Sequence, residues 1–343
     1  MRQLLNTLFV LSEDSYLSLE NENVIVHKGE EKTAVIPLIN LENILYFGYK
    51  GASPSLLGKC ATKNISFCCL TPNGRFLFRI GGKSQGNVLL RREQYRIADD
   101  EKRCCQIAKY FITGKIGNAR TALMRIARDH ALSVDGDAFS KVISALKVSI
   151  HSLNSVNTLD EVRGIEGNAA ALYFSVFDQM ILANKDFFKM NGRTRRPPLD
   201  PVNALLSFVY TLLANDCASA LEAVGLDAYV GFLHGERPGR ESLALDLMEE
   251  LRSVYADRFV LTLLNNRMLT PKCFNKTESG AVLLSDNGRK TVLQAWQNRK
   301  MEKIEHPFIK EKISWGLIPY AQSLLLAKYI RNDLDGYPAF IWK

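Results

Sequence analysis

Residues 4–80 consist of short apolar runs separated by turn residues. The runs include LFVL, VIVH, ILYFGY and ISFCCL, and the breaks include ENEN, HKGEE and TPNG. Strands this short with turns this frequent are typical of an all-β domain. We therefore predict a small β-sandwich over residues 1–85, interrupted by one helix that Ser53 caps and Pro54 begins.

After the glycine pair at residues 81–82 the pattern changes to helical periodicity. Leu89, Tyr95, Ile107 and Phe111 recur at intervals that place them on one side of a helix, and the later runs are of helical length. Residues 86–343 are therefore predicted to form a large helical domain. The predicted fold class is α+β, with a small N-terminal β-sandwich domain followed by a large C-terminal all-α domain.

The composition is that of a folded, moderately basic protein. Of 343 residues 47% are hydrophobic, and 44 basic against 36 acidic side chains give a net charge of +8. This apolar content excludes an intrinsically disordered chain. Residues 161–260 carry 10 basic and 14 acidic side chains, whereas the segments on both sides are basic. A cation site within a phosphate-attracting surface would give this pattern, and so would uneven surface charge without a function.

Cysteine usage and hydropathy favour a cytoplasmic protein. The seven cysteines form no Cys-x-x-Cys pair, and most lie among apolar neighbours, as reduced core residues do. No apolar run in the sequence approaches the roughly 18 residues that a membrane span requires. We therefore expect a cytoplasmic protein that does not enter a membrane.

The segment 231–252, GFLHGERPGRESLALDLMEELR, combines a histidine with carboxylates. Ser242 is expected to cap a helix that carries Asp246 and Glu249 on one face. Asp246 lies in an apolar run, where an ionised carboxylate requires a partner or a metal, and His234 precedes it by a loop. One imidazole with carboxylates suits Mg²⁺ or Mn²⁺ better than zinc. The alternative is a histidine at a loop end and a solvated acidic helix face.

Two further segments carry charged residues suited to the same chemistry. Glu166 lies between two glycines at the start of a predicted helix, where a ligand could approach closely. An acidic residue at this position also compensates the helix dipole. Arg193, Arg195 and Arg196 lie in a proline-terminated loop that could bind phosphates in bidentate fashion or be an ordinary basic surface loop.

These segments resemble the Cas1 family of CRISPR-associated integrases and endonucleases. The motifs that carry the resemblance are RGIEGNAAALYF, RRPPLDPVNALLSFVYTLL and GFLHGERPGRESLALDLMEELR, in this order and spacing. The resemblance covers essentially the whole chain, and the residues around LHGERPGR are most similar to members from subtype I-C systems. It implies a DNA endonuclease and integrase that inserts short spacers into CRISPR arrays by transesterification, in which a 3′-hydroxyl attacks a phosphodiester at a repeat edge.

The resemblance also implies a set of site residues. Glu166, His234 and Glu249 match the ligands of a catalytic Mg²⁺ or Mn²⁺ ion. Asp246, one helical turn before Glu249, matches a further catalytic residue in a supporting role, and which of the two bonds the metal directly stays open. The arginines expected to bind DNA are Arg193, Arg195, Arg196, Arg237 and Arg252. Asn203 matches a motif asparagine that supports the site.

The implied partners are DNA and protein. The family resemblance implies binding of a prespacer duplex and the CRISPR repeat, a homodimer formed through the N-terminal β domain, and a small partner, Cas2. A separate trimming nuclease is a further candidate partner. Two alternatives stay open on the sequence alone: a general metal-dependent nuclease of branched DNA in repair, and a non-catalytic DNA-binding scaffold whose carboxylates are structural.

Overall fold

The computed structural model describes residues 7–41, 43–72, 76–80 and 88–342. Contacts divide the chain into two units, Met1–Gly86 with Asp286–Met301 and Asn87–Ser285 with Glu302–Lys343. The first unit contains β-sheets and the second is mainly helical, which confirms the predicted fold class. The glycine pair expected at the junction, residues 81–82, lies outside the described residues.

The N-terminal unit contains two sheets around an apolar core. Its strands are β1 (Thr7–Val10), β2 (Ser15–Glu20), β3 (Asn23–Lys28), β4 (Glu31–Pro37), β5 (Asn43–Phe47), β6 (Ser66–Leu70) and β7 (Phe76–Ile80). One sheet has the order β1-β5-β6-β7, in which β1, β5 and β6 are parallel and β7 is antiparallel. The other is an antiparallel meander of β2, β3 and β4. Leu17, Val24, Ile44 and Phe67 are buried in one shared core.

Two helices belong to this unit within the described residues. Helix α1 (Pro54–Lys63) begins after Ser53, whose hydroxyl accepts the backbone N–H of Leu56 at 3.2 Å, as the sequence predicts. It ends at Asn64, which has the left-handed conformation (φ 56°) that asparagine tolerates. The second helix, α9 in chain order, is Asp286–Met301, and its Trp296 is buried.

The second unit is built mainly from helices. They are α2 (Val88–Ala98), α3 (Glu101–Asp129), α4 (Gly136–Ser152), α5 (Leu159–Ser175), α6 (Pro201–Val224), α7 (Ser242–Glu249), α8 (Arg258–Asn265) and α10 (Ile318–Ile330). The short hairpins are β8 (Phe274–Lys276) with β9 (Val282–Leu284), and β10 (Lys303–Glu305) with β11 (Lys312–Ser314). Local caps explain several helix starts: Asp100 begins α3, Thr158 forms a capping box at α5, and Asp200 caps α6.

Helix α6 runs through the core of this unit. Pro201 begins it and Gly225, at φ 88°, ends it, which are the positions where these residues favour helix boundaries. Among the described residues it is the one helix long and apolar enough to span a membrane, and 72% of its most apolar window is buried inside the protein. Such burial is typical of the core helix of a globular protein.

Helices α7 and α8 are joined by a π-helical turn, Arg252–Asp257, that packs beside α3. The sequence predicts Ser242 as the cap of α7, but Ser242 is the first helical residue. Its hydroxyl donates to the carbonyl of Gly235 at 3.1 Å and so closes the loop that leads from His234 into α7. The π-helical turn Arg252–Asp257 that follows α7 is of a type that occurs frequently at functional sites.

Candidate active site

Two carboxylates from different helices share one cation in the helical unit. Glu166 on α5 and Glu249 at the end of α7 both form ion pairs with Lys115 of α3. The distance from Lys115 Nζ to Glu249 Oε2 is 2.6 Å, and only 13% of the Lys115 side chain and 6% of the Glu249 side chain are exposed. The two carboxylates therefore lie on either side of a single, largely buried positive charge.

Glu249 also has a second cationic partner. Arg252, one turn later, donates from Nη1 to both carboxylate oxygens of Glu249, at 2.8 and 3.1 Å. Burial by itself raises the pKa of Glu249, but the positive charges of Arg252 and Lys115 outweigh it and hold the pKa well below its usual range. The Arg252 guanidinium also lies 4.2 Å from the ring centre of Tyr210. Glu249 is therefore ionised at neutral pH.

Asp246 orients His234 and the loop around it. The Nδ1–H of His234 donates to Asp246 Oδ1 at 2.6 Å, because an ionised carboxylate can only accept. Asp246 also accepts the backbone N–H groups of Phe232 at 2.6 Å, Leu233 at 2.9 Å and His234 at 2.9 Å. Although burial opposes charge on the imidazole, the hydrogen bond and charge of Asp246 raise the pKa of His234. Nε2 is the ring nitrogen that this arrangement leaves for a metal or a proton.

Arg163 connects α5 to the loop of His234. Its Nη2 and Nε donate to the carbonyl oxygen of Leu233 at 2.8 and 3.2 Å. Gly231 lets this loop approach α7, because a Cβ at this position would lie 2.9 Å from Asp246 Oδ2 and closer still to the backbone of α7. The helix that carries one candidate ligand therefore supports the loop that carries another.

Gln94 of α2 supports the start of the same loop. Its fully buried side-chain amide donates to the carbonyls of Asp227 at 2.8 Å and Val230 at 2.9 Å, and its carbonyl accepts the Asp227 N–H at 2.9 Å. A buried amide with all these partners fixes the backbone it contacts. Gln94 therefore fixes residues 227–230, just before the residues of the same loop that Asp246 binds.

Glu250, the residue after Glu249, faces the C-terminal segment. Its carboxylate accepts hydrogen bonds from the Tyr337 hydroxyl at 2.5 Å, the Phe340 backbone N–H at 2.7 Å and the Gln322 amide at 2.9 Å. Burial raises the pKa of Glu250 to about 7, although these hydrogen bonds act to lower it. The end of the chain is thus bound to the helix end that carries Glu249.

The arginines expected to bind DNA lie in two environments. The exposed ones are Arg195, Arg196 and Arg237. Arg252 is buried against Glu249. Arg193 is half-buried and donates to the side-chain oxygen of Asn203 at 2.6 Å, while Asn203 accepts the Thr194 N–H and so supports this loop from α6. Two of the five guanidiniums are therefore engaged inside the protein.

The donor set fits a hard divalent cation. Glu166 and Glu249 supply carboxylates around one cation position, and the charge of His234 is the smallest of the influences that lower the pKa of Glu249. Across the ranges that the structure describes, no three His, Cys, Asp or Glu side chains already close around a common point. Lys115 instead occupies the position between the carboxylates. Oxygen and imidazole donors without a thiolate suit Mg²⁺ or Mn²⁺.

Among the residues of this site that lie outside the sequence prediction, three show which signals the sequence does and does not carry. Lys115 interrupts the apolar stretch FITGKIGNA, and a lone charge in such a stretch is a usable signal for a buried ion pair. Arg163 lies three residues before Glu166, on the same helix face. Glu250 gives no such signal, because two successive acidic residues at a helix end resemble a solvated surface.

Comparison with known proteins defines the family. A family model described as CRISPR associated protein Cas1 matches residues 8–298. The chain is 49% identical to a CRISPR-associated endonuclease Cas1 of Chlorobaculum tepidum and 40% identical to one of Moorella thermoacetica, in both cases over 100% of each chain.

Two solved structures share the fold. A Cas1 protein from Thermotoga maritima has a TM-score of 0.82 at 21% identity and covers 97% of this chain and 99% of its own. A casposase bound to its integration product has a TM-score of 0.85 at 22% identity and covers 98% of this chain and 94% of its own.

The helical unit, its clustered carboxylates and these relatives together define a CRISPR-associated endonuclease. The chain belongs to the Cas1 family. The predicted family, the predicted enzyme class and the predicted function as an endonuclease and integrase of CRISPR spacer acquisition are thereby confirmed.

Proposed function

We propose that this chain joins spacer DNA to a CRISPR repeat at a divalent metal held by Glu166, His234 and Glu249. The observation that carries the proposal is the single cation position between Glu166 and Glu249, which come from helices far apart in sequence. Mg²⁺ or Mn²⁺ is the proposed ion. Asp246 is proposed to position His234, because both of its oxygens accept hydrogen bonds from the loop.

The reaction is a transesterification that needs no nucleotide triphosphate. The oxygen of the spacer 3′-hydroxyl bonds to the phosphorus at the repeat edge while the bond from phosphorus to the leaving oxygen breaks. One proton leaves the attacking hydroxyl and one is taken up by the leaving oxygen. When bound, a divalent ion supplies the positive charge that stabilises the phosphate and these oxygens. Glu166, Glu249 and His234 are the residues that would hold this ion, and Asp246 fixes the imidazole of His234 for that role.

The exposed arginines are the proposed DNA contacts. Arg195 and Arg196 lie in the loop before α6, and Arg237 lies in the loop after His234, so all three have guanidiniums accessible to phosphates. Arg193 and Arg252 are proposed to lie at the edge of the DNA-binding surface. Because Arg193 is bound to Asn203 and Arg252 to Glu249, Arg193 orients the loop before α6 and Arg252 orients Glu249.

The remaining features of the proposal concern assembly. Residues 1–85 are proposed as the dimerisation domain and residues 86–343 as the catalytic domain of a cytoplasmic homodimer of subtype I-C that binds Cas2. Support for Cas2 comes from a solved Cas6-RT-Cas1–Cas2 complex with a TM-score of 0.81 to this chain. A Geobacter sulfurreducens relative, 32% identical over 97% of this chain, is named as a fusion of exonuclease Cas4 with endonuclease Cas1, which supports a separate trimming nuclease as a partner.

An integration assay on a supercoiled plasmid bearing the repeat tests the proposal. With Mn²⁺ and Cas2 we expect joining at the repeat edges, and with EDTA none. Glu166→Ala, His234→Ala and Glu249→Ala are each expected to abolish joining while DNA binding is retained, since the ligands and the exposed arginines are separate groups. Asp186→Ala, which removes an exposed acidic side chain elsewhere in the unit, is the control.

The same assay, run in parallel with a branched DNA as a second substrate, separates the alternative functions. A DNA-binding scaffold predicts that all three ligand variants behave as wild type. A general repair nuclease predicts cleavage of branched DNA with no joining to the repeat. Either result, or the absence of metal-dependent joining under all conditions, would contradict the proposed integrase.

A further inference from the structure

Lys115 is the residue whose position the proposed metal site leaves unexplained. Its ammonium contacts both candidate carboxylate ligands, Glu166 and Glu249, and its side chain is almost enclosed. Glu249 keeps a second cation, Arg252, on the other side, whereas Glu166 has Lys115 as its ion-pair partner among the described residues. A buried lysine between two metal ligands requires a physical reason.

We propose that Lys115 is an internal counter-cation that holds the ligand carboxylates in the metal-free protein and must leave when the divalent ion binds, so that it lowers the metal affinity of the site. The proposal rests on the metal site proposed above. It assigns to Lys115 a positioning function, and no part in the chemical step.

The charge balance of the metal-free site supports this function. Glu166 and Glu249 carry like charges, and Glu249 is almost fully buried. Without a cation between them, their repulsion would push the two carboxylates apart or favour protonation of one carboxylate. Lysine suits this position, because an ammonium is a compact point charge that can bind two carboxylates at once. Lys115 therefore keeps the ligands close together before any metal arrives.

The geometry of the contacts shows why the ammonium must leave. Lys115 Nζ lies 2.6 Å from Glu249 Oε2, and a divalent ion would take this position between the same oxygens at a shorter distance, about 2.0–2.1 Å for Mg²⁺. Two positive centres cannot share this gap. The four-carbon stem of lysine is flexible enough for the ammonium to swing aside with the helix unchanged. Metal binding is thus a cation exchange that costs the two ion pairs of Lys115.

The first test compares Mn²⁺ binding to two single-charge variants of the same helix. Lys115→Met keeps the apolar stem and removes the ammonium, while Lys102→Met removes an exposed charge at the start of α3. By isothermal titration calorimetry at one pH and salt, we expect Lys115→Met to bind Mn²⁺ about tenfold more tightly than wild type, which is about 1.4 kcal/mol. Lys102→Met is expected to bind as wild type does.

Thermal unfolding gives a second readout on the same proteins. With EDTA, Lys115→Met is expected to unfold at a lower temperature than wild type, because the carboxylates lose their counter-cation. With Mn²⁺ its unfolding temperature is expected to rise by more than that of wild type. Mn²⁺ binding by Lys115→Met that is equal to or weaker than wild type would overturn the proposal.

A third test uses the wild-type protein alone and does not depend on how a variant folds. Reductive methylation followed by mass spectrometry measures how accessible each lysine is. Addition of Mg²⁺ is expected to increase labelling of Lys115 several-fold and to leave labelling of Lys102 unchanged. Labelling of Lys115 that is the same with Mg²⁺ and with EDTA would contradict the exchange.

These outcomes distinguish the two proposals. If wild type binds no Mn²⁺, or if Glu249→Gln binds it as well as wild type, the metal site itself is wrong and the function of Lys115 fails with it. If Glu249→Gln weakens binding while Lys115→Met and wild type are alike, the metal site stands and Lys115 has no part in setting its affinity.

Discussion

Glu249 and Glu250 are neighbours in the chain, are both buried, and have opposite surroundings. Glu249 faces α3 and α5 and contacts two cations, Lys115 and Arg252. Glu250 faces the C-terminal segment and receives three neutral donors, with no cation among its partners in the described part of the chain. The pKa of Glu249 is accordingly held well below its usual range, whereas burial raises the pKa of Glu250 to about 7.

This contrast shows that partners, and not burial, separate a buried carboxylate with a lowered pKa from one with a raised pKa. Desolvation is the largest influence on both residues and raises the pKa of each. Only cationic partners reverse it, because a neutral donor stabilises the charged form less than a positive charge does. A carboxylate kept ionised by cationic partners has the charge that a metal ligand requires. A carboxylate held by neutral donors ties parts of the fold together.

The largest expected effect is the loss of joining activity when the charge of Glu249 is removed, compared with removal of the charge of Glu250. Glu249→Gln is expected to lower the joining rate by at least about 100-fold if Glu249 is the proposed ligand, because loss of a direct ligand costs no less than loss of a supporting residue, which costs about 10 to 100-fold. Glu250→Gln is expected to keep joining within about twofold of wild type. Its cost is in stability, about 2 kcal/mol in urea unfolding, because an amide has one acceptor oxygen where the carboxylate uses two, so donors on one side lose their acceptor.

The opposite result, in which Glu250→Gln loses joining and Glu249→Gln keeps it, would contradict the contrast between the two glutamates. Loss of joining in a folded Glu250→Gln protein, with Glu249→Gln active, would place the reactive carboxylate on the other side of α7. Circular dichroism of both variants before the assay distinguishes an unfolded protein from an inactive one.

The asymmetry of this pair also marks the limit of prediction from the sequence. The sequence predicts Glu166, His234, Asp246 and Glu249 as site residues, because each has a local signal such as flanking glycines, an apolar surrounding or helical spacing. It does not reveal that Lys115 lies between two of them. That contact joins residues 51 positions apart, and it depends on how α3 packs against α5.

Other features are hidden for the same reason. Glu250 and Phe340 are 90 positions apart, and no local pattern indicates which of two successive glutamates faces the C-terminal segment. Arg193 has the local pattern of an exposed phosphate-binding arginine, yet Asn203 on the following helix draws its guanidinium inward. In the N-terminal unit, short alternating runs predict the strands, but the parallel pairing of β1 with β5 depends on contacts across the sheet.

A medium effect is expected from the hydroxyl that Glu250 contacts most closely. Tyr337→Phe removes the donor at 2.5 Å from Glu250 and leaves the aromatic packing with Phe111 and Tyr110 in place. We expect a loss of about 1.5 kcal/mol in the free energy of unfolding, since the buried carboxyl of Glu250 loses a donor and the Gln322 amide loses an acceptor. Tyr320→Phe, at a half-buried tyrosine of α10, serves as the control and is expected to change stability by less than about 0.5 kcal/mol. Equal losses in the two variants would mean that the hydroxyl of Tyr337 contributes nothing to stability.

The smallest effect concerns His306, which orients the amide next to Glu250. The backbone N–H groups of Phe308 and Ile309 donate to His306 Nδ1 at 3.3 and 3.2 Å, so the neutral ring carries its proton on Nε2 and donates to Gln322 at 2.9 Å. Burial lowers the pKa of His306, and the bond to Gln322 only partly opposes this. The unfolded chain therefore binds the proton more readily than the folded protein does, and stability falls as the pH falls below about 6.5.

Urea unfolding at pH 5.5 and pH 7.5 tests whether His306 lowers stability on acidification, by comparing wild type with a variant whose residue 306 does not titrate. His306→Asn keeps an acceptor near the Nδ1 position, and its free energy of unfolding is expected to lose less than that of wild type between pH 7.5 and pH 5.5. Glu250 affects the pH dependence of stability with the opposite sign, because its raised pKa means that the folded protein binds the proton more readily. Since Glu250 is present in both proteins, the difference between variant and wild type isolates the contribution of His306. A wild type that gains stability relative to the variant on acidification would show that His306 is charged in the fold, and the surroundings of Glu250 would then include a cation after all.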